Sequence, residues 1–423
     1  MTRLTDFDKS VPLLIVRLGR YPIHHGSVGV ARSLGRLGVP VYAIVEDGFT
    51  PLALSRYVTG WYRWQSRNPT RESVLNDLGH IAGKLGRRAL LLPTDDVASV
   101  FLAENQSELR SPFILPCLSP GLPRRLCHKG ELYRLCKSAG VPCAETAFPF
   151  SIEDVHDFIE TADFPVMVKA AESRLLPKGA SSTAIARNPA ELLDIYQRSE
   201  TPGIANLLLQ EYIPLGSEDW IYHGYRNAQN GCTVSFSGVK LRSWPPYAGP
   251  TSLGVCRQNQ TLIAQTEALM RTIGYAGISD LDYRLDKRDG LYKLLDFNPR
   301  VGANFRMFED TAGLDVVRAM YLDLTGHKVQ QAAPGEGHRL VVESFDFFAS
   351  LGYMRHGALT VSEWWESLKG NREMAWFHAD DPIPFFAMAA RLTGRTIARA
   401  FGRTAPPAQS PESSTQPASQ TQS

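Results

Sequence analysis

The residues most able to do chemistry lie late in the chain, in two runs. The first is Gly277-Ile278-Ser279-Asp280-Leu281-Asp282-Tyr283-Arg284-Leu285, and the second is Leu291-Tyr292-Lys293-Leu294-Leu295-Asp296-Phe297-Asn298-Pro299-Arg300. Polar and apolar residues alternate along both, and a turn at 286–290 separates them, so the spacing predicts a β-hairpin. Residues two apart share a strand face, so Asp296 and Asn298 point the same way. A five-residue loop sets Leu285 opposite Leu291 and hence Asp280 opposite Asp296, with Asp282 diagonal to Asp296 on the same face. Acidic and amide oxygens converging there repel one another unless a cation sits between them. Hard oxygen donors with no His or Cys nearby suit Mg²⁺, which shares its shell with nucleotide phosphates; the competing reading is a solvated acidic hairpin.

Two lysines stand out upstream. Lys169 ends the apolar run Phe164-Pro165-Val166-Met167-Val168, where an ammonium needs either water or an anion, because burying it unpaired is too costly. Lys129 opens a helix that runs to Ala139, at its positive end, where a cation is unfavourable unless an anion joins it. His24 and His25 follow the first strand, either as a general base or, the favoured reading, as a surface turn. His128 carries no assigned role.

These residues must be positioned by a mixed architecture. Leu13-Leu14-Ile15-Val16, a helical stretch at 28–38, a strand at 39–45 and another at 89–93 form a βαβ pattern, which implies a parallel sheet. The glycines at 19, 26 and 29 lack the spacing of a dinucleotide fingerprint. Ligands gather at strand carboxyl ends in such sheets, so Thr94-Asp95-Asp96 or a neighbouring loop is expected to line a site. From about 116 the texture changes. A helix is expected over 125–139 and another over 152–160, followed by short strands at 164–170, 182–186, 207–213, 220–226, 232–242, 278–285 and 291–298. That pattern reads as an α+β unit with antiparallel sheets. The expected division is an N-terminal βαβ domain (1–115), a central domain (116–335) with a small lobe at about 145–213, a helical and aromatic extension (336–403) and a disordered Pro/Ser/Gln-rich tail (404–423). The helix at 384–402 carries Arg391, Arg395 and Arg399 beside Phe385, Phe386 and Met388. It could lie on an anionic membrane, but packing on its own domain with the arginines in water is favoured.

Composition narrows the classes. The 423 residues hold 45 Lys+Arg against 43 Asp+Glu, a net charge of +2, which excludes nucleic acid as a default partner. No apolar run approaches the ~18 residues of a membrane span. The first residues have no apolar leader, and six cysteines without a Cys-x-x-Cys pair read as reduced thiols, so a cytoplasmic location is expected.

In chain order, these pieces resemble the ATP-grasp superfamily over residues 126–326. A Lys-led helix ends in Ala139-Gly140-Val141-Pro142; then come Phe164-Pro165-Val166-Met167-Val168-Lys169, Gln210-Glu211-Tyr212-Ile213, Asp282, and Asp296-Phe297-Asn298-Pro299-Arg300. The first domain looks like the one that precedes the grasp in carboxylate–amine ligases. Residues 239–246 and 380–384 look like the branch of predicted carboligases that includes D-aspartate ligase-like enzymes. The resemblance implies an α/β plus α+β fold, with a parallel-sheet pre-ATP-grasp domain before a two-lobed ATP-grasp of antiparallel sheets. It implies ATP with Mg²⁺, or Mn²⁺, as cofactors. Lys129 and Lys169 would hold the α- and β-phosphates, and Lys178 would add charge in the phosphate-covering loop. Gln210, Glu211, Tyr212 and Ile213 would form the hinge that reads adenine, and Glu218 or Asp219 would take the ribose hydroxyls. Asp282, Asp296 and Asn298 would hold the metal, and Arg300 would approach the γ-phosphate.

Two features depart from the family: the loop 173–182 contains a single glycine, and Asp296 stands where Glu is usual. The implied reaction activates a small-molecule carboxylate as an acyl phosphate and couples it to an amine. A catalytically silent nucleotide or metabolite binder, or transfer to a non-amine acceptor, are the alternatives. For substrate anchoring, Arg242 with Lys240 two residues earlier is the candidate pair, because an Arg fork matches a carboxylate; the rival is an edge strand with solvated cations. A homodimer is the default assembly.

Overall fold

Four consecutive apolar residues cannot alternate between core and water, so Leu13–Val16 needs cover on both faces, and a parallel sheet flanked by helices supplies it. In the computed structural model Leu13 and Ile15 enter one core cluster while Leu14 and Val16 enter another. The structure describes residues 7–66, 69–171, 176–177, 183–214, 218–227, 229, 231–247, 249–370 and 372–400. Lys178, most of the loop 173–182 and the tail 404–423 lie outside the described residues.

The first sheet holds β1 (Leu13–Val16), β2 (Val41–Ile44), β3 (Gly60–Tyr62), β4 (Ala89–Pro93) and β5 (Phe113–Ile114), all parallel, in the order β3-β2-β1-β4-β5. The order reverses between β1 and β4, so a crevice opens at their carboxyl ends. A four-stranded antiparallel sheet follows, with β6 (Thr146–Ala147), β7 (Val166–Ala170), β8 (Thr183–Ala186) and β9 (Leu207–Glu211) in the order β6-β9-β7-β8. Val166, Val168, Leu207 and Leu209 pack with Val155, Leu192 and Tyr196 of the helices Ile152–Thr161 and Pro189–Ser199, and alternation leaves Met167 and Lys169 on the other face.

The third sheet has seven strands: β10 (Asp219–Asn227), β11 (Cys232–Ser243), β12 (Thr251–Cys256), β13 (Gly277–Asp286), β14 (Leu291–Asn298), β15 (Arg339–Val341) and β16 (Arg372–Met374). Their order is β14-β13-β10-β11-β12-β15-β16, antiparallel except for the β15–β16 pair. The hairpin register differs from the expected one. Asp286 pairs with Leu291, and a bulge between the Asp282 and Tyr283 pairs leaves Leu295 unmatched. Asp282 therefore stands directly opposite Asp296, and Asp280 opposite Asn298. A second bulge corrects the expected shared face of Lys240 and Arg242. Lys240 pairs with Gly254 but Arg242 with Leu253, and since adjacent β12 residues face opposite ways, the two cations do too.

The single helix expected at 125–139 is two, Leu122–Cys127 and Lys129–Ala139. His128 breaks them because its side chain caps the second helix, Nδ1 accepting from the Glu131 N–H at 3.2 Å. In the extension, Phe385, Met388 and Leu392 of the last helix pack on the main core. Arg32, 1% exposed, ties the N-terminal domain to this region: it donates to Asp381 Oδ2 at 3.0 Å and to the carbonyls of Ala375, Trp376 and Asp381. Among the described residues no helix is long and apolar enough to cross a membrane.

Candidate active site

The directly opposed Asp282 and Asp296 are the centre of the site. Lys240 reaches Asp282 Oδ1 at 2.7 Å from the neighbouring face of β11, so it sits among the carboxylates. Asp296 keeps its proton up to about pH 7, chiefly because burial disfavours its charge and secondly because Asp282 and Asp96 are negative; Lys129 and Arg300 only partly oppose this. The carboxylate and amide oxygens of Asp282, Asp296 and Asn298 gather on one face of the hairpin, and that donor set fits a hard divalent ion. No trio of His, Cys, Asp or Glu with metal-holding geometry occurs among the described residues. The protein's share of the shell would therefore be Asp296, Asn298 and Asp282, with other oxygens from phosphate and water.

Arg300 organises the next layer. It bonds Asp96 Oδ1 at 3.1 Å, Asp280 Oδ2 at 3.0 Å and Asn298 Oδ1 at 2.8 Å. Asp96 opens the helix after β4, so this side chain joins the parallel-sheet crevice to the hairpin. Asp280 is held below the usual carboxylate range: burial would raise it, but His223, Arg300 and Lys240 outweigh that. His223 Nε2 lies 2.8 Å from Asp280 Oδ1, fully buried on β10. Gly302 makes this packing possible, since a Cβ there would fall 2.3 Å from Asp280 Oδ2 and 2.4 Å from His223 Cε1. His223 and Gly302 escaped the sequence reading, and Asp96 was expected only as part of a loop near a site, with no role. Only the pairing of β10 with β13 brings His223 to Asp280, and no local pattern announces that.

The two lysines come from separate elements. Lys169 Nζ donates to Gln210 Oε1 at 2.6 Å, and Gln210 Nε2 donates to Thr146 Oγ1 at 3.0 Å, which fixes that face of the small sheet. Lys129 begins its helix close enough to Asp296 to stabilise the carboxylate form. Glu211 does more than form a hinge. Its Oε1 takes Lys293 Nζ at 2.8 Å and Arg288 at 2.5 Å, and its N–H donates to Glu145 O, so it latches the small sheet to the β13–β14 hairpin. Ile213 is buried, and Tyr212 lies between it and Glu211. Asp219 grips both arms of Arg284 at 2.7 and 3.1 Å, whereas Glu218 is half-exposed beside Trp220 Nε1 at 3.1 Å, so Glu218 is the more available carboxylate.

Arg242 is not in this cluster. It is 5% exposed and grips Asp346 bidentately at 2.9 and 3.0 Å, with Ser367 Oγ at 2.7 Å. Its fork is already filled by a carboxylate of the protein.

A parallel sheet ahead of a four-stranded antiparallel sheet and a seven-stranded, largely antiparallel one, with Lys129 and Arg300 beside the opposed Asp282 and Asp296, is an ATP-grasp architecture. Comparison with known proteins agrees. D-aspartate ligase of Enterococcus faecium is 24% identical over 256 residues, covering 57% of this chain and 60% of the relative. The carbamoyl phosphate synthase large chain of Thermomicrobium roseum is 24% identical over 208 residues, covering 47% and 19%. The chain thus spans less than two thirds of the length of these curated relatives. N5-carboxyaminoimidazole synthetase from Staphylococcus aureus, solved with ADP, superposes with TM-score 0.57 at 13% identity, covering 78% of this chain and 82% of that one. Biotin carboxylase from Campylobacter jejuni, solved as a β,γ-ATP complex, gives 0.57 at 16% identity, covering 76% and 72%. No protein-family model matches the chain. The fold is that of the ATP-grasp carboxylate–amine ligase superfamily.

Proposed function

We propose that the chain is an ATP- and Mg²⁺-dependent ligase that activates a small-molecule carboxylate and couples it to an amine. One observation carries this reading: Asp282 stands directly opposite Asp296 with Asn298 two residues on, and Lys129 and Arg300 act on the Asp296 charge. Mg²⁺ would supply positive charge there and screen the phosphates during transfer. Lys129 and Lys169 would hold the phosphate chain, with the Gln210 side chain keeping the Lys169 ammonium in place. Adenine recognition falls to the Tyr212 and Ile213 backbone, because the Glu211 N–H is spent on Glu145 O. Glu218 would take the ribose hydroxyls. Arg300, braced by Asp96, Asp280 and Asn298, is preorganised to stabilise charge on the transferred phosphoryl group.

The substrate carboxylate oxygen would attack the γ-phosphorus as ADP leaves. The amine nitrogen would then attack the acyl carbon, the C–O bond to phosphate would break, inorganic phosphate would depart, and the nitrogen would lose its proton to solvent. In this reading residues 1–115 wall the substrate site, 116–335 clamp the nucleotide, and 336–403 brace the two. The test is ADP and phosphate release with MgATP over carboxylate and amine pairs, D-aspartate included because of the relative's activity. Release that requires both partners supports the ligase. Tight MgATP binding without turnover by any pair would instead make the chain a silent binder.

A further inference from the structure

Arg17 follows β1 at the switch point of the parallel sheet and is 8% exposed, yet its guanidinium is under-used. Nε donates to Gly19 O at 3.2 Å, and Nη1 is buried with no hydrogen-bond partner. Asp95 lies 3.7 Å away but spends its oxygens on the N–H groups of Leu18, Gly19 and Ala98 at 3.0, 2.8 and 2.7 Å. Glu46, two residues past β2, and the Tyr21 ring 5.5 Å away also act on the Arg17 charge, and Glu46 Oε1 is buried without a hydrogen-bond partner, yet Nη1 still has no acceptor. A buried guanidinium donor without an acceptor costs free energy that a bound anion would recover.

The surroundings favour an anion. The helix His25–Gly35 starts beside Arg17 and has no acidic residue in its first turn to meet its positive end. His24 caps this helix, its Nδ1 accepting from the Ser27 N–H at 3.1 Å, which places the proton of the neutral ring on Nε2. The ring stays neutral because burial first, then Arg17, His25 and Arg300, push its pKa well down. His24 therefore offers a donor, and the surface turn favoured from sequence is instead a helix start, with His24 as its cap and His25 buried against Trp376. The loop after Arg300 closes on this helix start: a Cβ on Gly26 would meet Ala303 Cα at 2.6 Å, and His25 Nε2 lies 3.4 Å from Asn304 Oδ1. Arg17, His24 and the helix start thus bring donors together at this end of the parallel sheet, next to the carboxylates of Asp95 and Glu46.

We propose that Arg17, the His24 Nε2–H and the N-terminus of helix His25–Gly35 form a subsite for the carboxylate of an amino acid, the amine-bearing substrate of the ligase reaction proposed above. The amino group then points toward the Arg300 side of the cleft, where the other substrate is activated. A carboxamide in that place offers no negative charge to Arg17, so the subsite selects acids over their amides.

Titration calorimetry on the full chain, with and without MgADP, tests this using common α-amino acids in both enantiomers and their α-carboxamides. At least one acid should bind, with its amide about 30-fold weaker, the loss of a charged hydrogen bond. Arg17→Gln should abolish that discrimination and Arg17→Lys restore part of it, with MgADP affinity unchanged in both as the check on folding. Equal binding of acid and amide, discrimination that survives Arg17→Gln, or MgADP binding without any acid would overturn the subsite. Acid binding with Arg17-dependent discrimination but no MgADP binding would uphold the subsite and overturn the nucleotide reading instead.

Discussion

Asp296 is the residue on which the chemistry turns. Folded, it holds its proton up to about pH 7, whereas an unfolded carboxyl releases it near pH ~4. Between those values the folded state binds more protons, so this group's contribution to stability is fully present below pH ~4 and is lost as pH rises through 7. In chelator at pH 8, Asp296→Asn should therefore melt roughly 2–4 °C above the wild type, and at pH 4 the two should coincide. Added Mg²⁺ and ADP should raise the wild-type melting temperature and leave the variant nearly unmoved. Thermal unfolding across that pH range, with and without Mg²⁺, checks both. The paired aspartates, the lysines and Arg300 were legible as residue types. The proton affinity of Asp296 was not, because it depends first on burial in the folded sheet and then on Asp282 and on Asp96, some 200 residues away in the chain.

At the scale of elements, two bulges decide which side chains meet. Alternation located the hairpin and its acidic face, but one unmatched residue, Leu295, moved Asp282 from a diagonal to a direct partner of Asp296. The bulge in β11 turned Arg242 away from the cleft and into Asp346, so counting by twos misassigned it. Local sequence does not mark such insertions, since each is fixed by what the neighbouring strands pack against. Arg242→Ala should leave Asp346 buried and unpaired and cost about 3–5 kcal/mol in denaturant unfolding, with the KM of the folded fraction unchanged. A rise in substrate KM without loss of stability would return Arg242 to the site. Gly302→Ala forces a Cβ against Asp280 and His223; it should cost about 1–3 kcal/mol and lower kcat more than it changes MgADP affinity, measured side by side.

Across the whole molecule three sets of ion pairs tie separate parts together. Arg300 joins the hairpin to Asp96 of the first domain, Glu211 latches the small sheet to the hairpin through Lys293 and Arg288, and Arg32 fastens the first domain to the extension through Asp381. The strands read from periodicity appear in the expected parallel and antiparallel sheets, whereas β3, β5, β12, β15, β16 and the helices Arg71–Leu85, Pro189–Ser199 and Gln260–Thr272 went unread. The long-range ion pairs were not readable, because either partner alone looks like any surface charge. The most direct test of the account is a crystal structure of the full chain with Mg²⁺ and a non-hydrolysable ATP analogue. The phosphates should lie between Lys129 and Lys169 on one side and a metal held by Asp296 and Asn298 on the other. A nucleotide bound elsewhere, or phosphates that touch neither lysine, would contradict it.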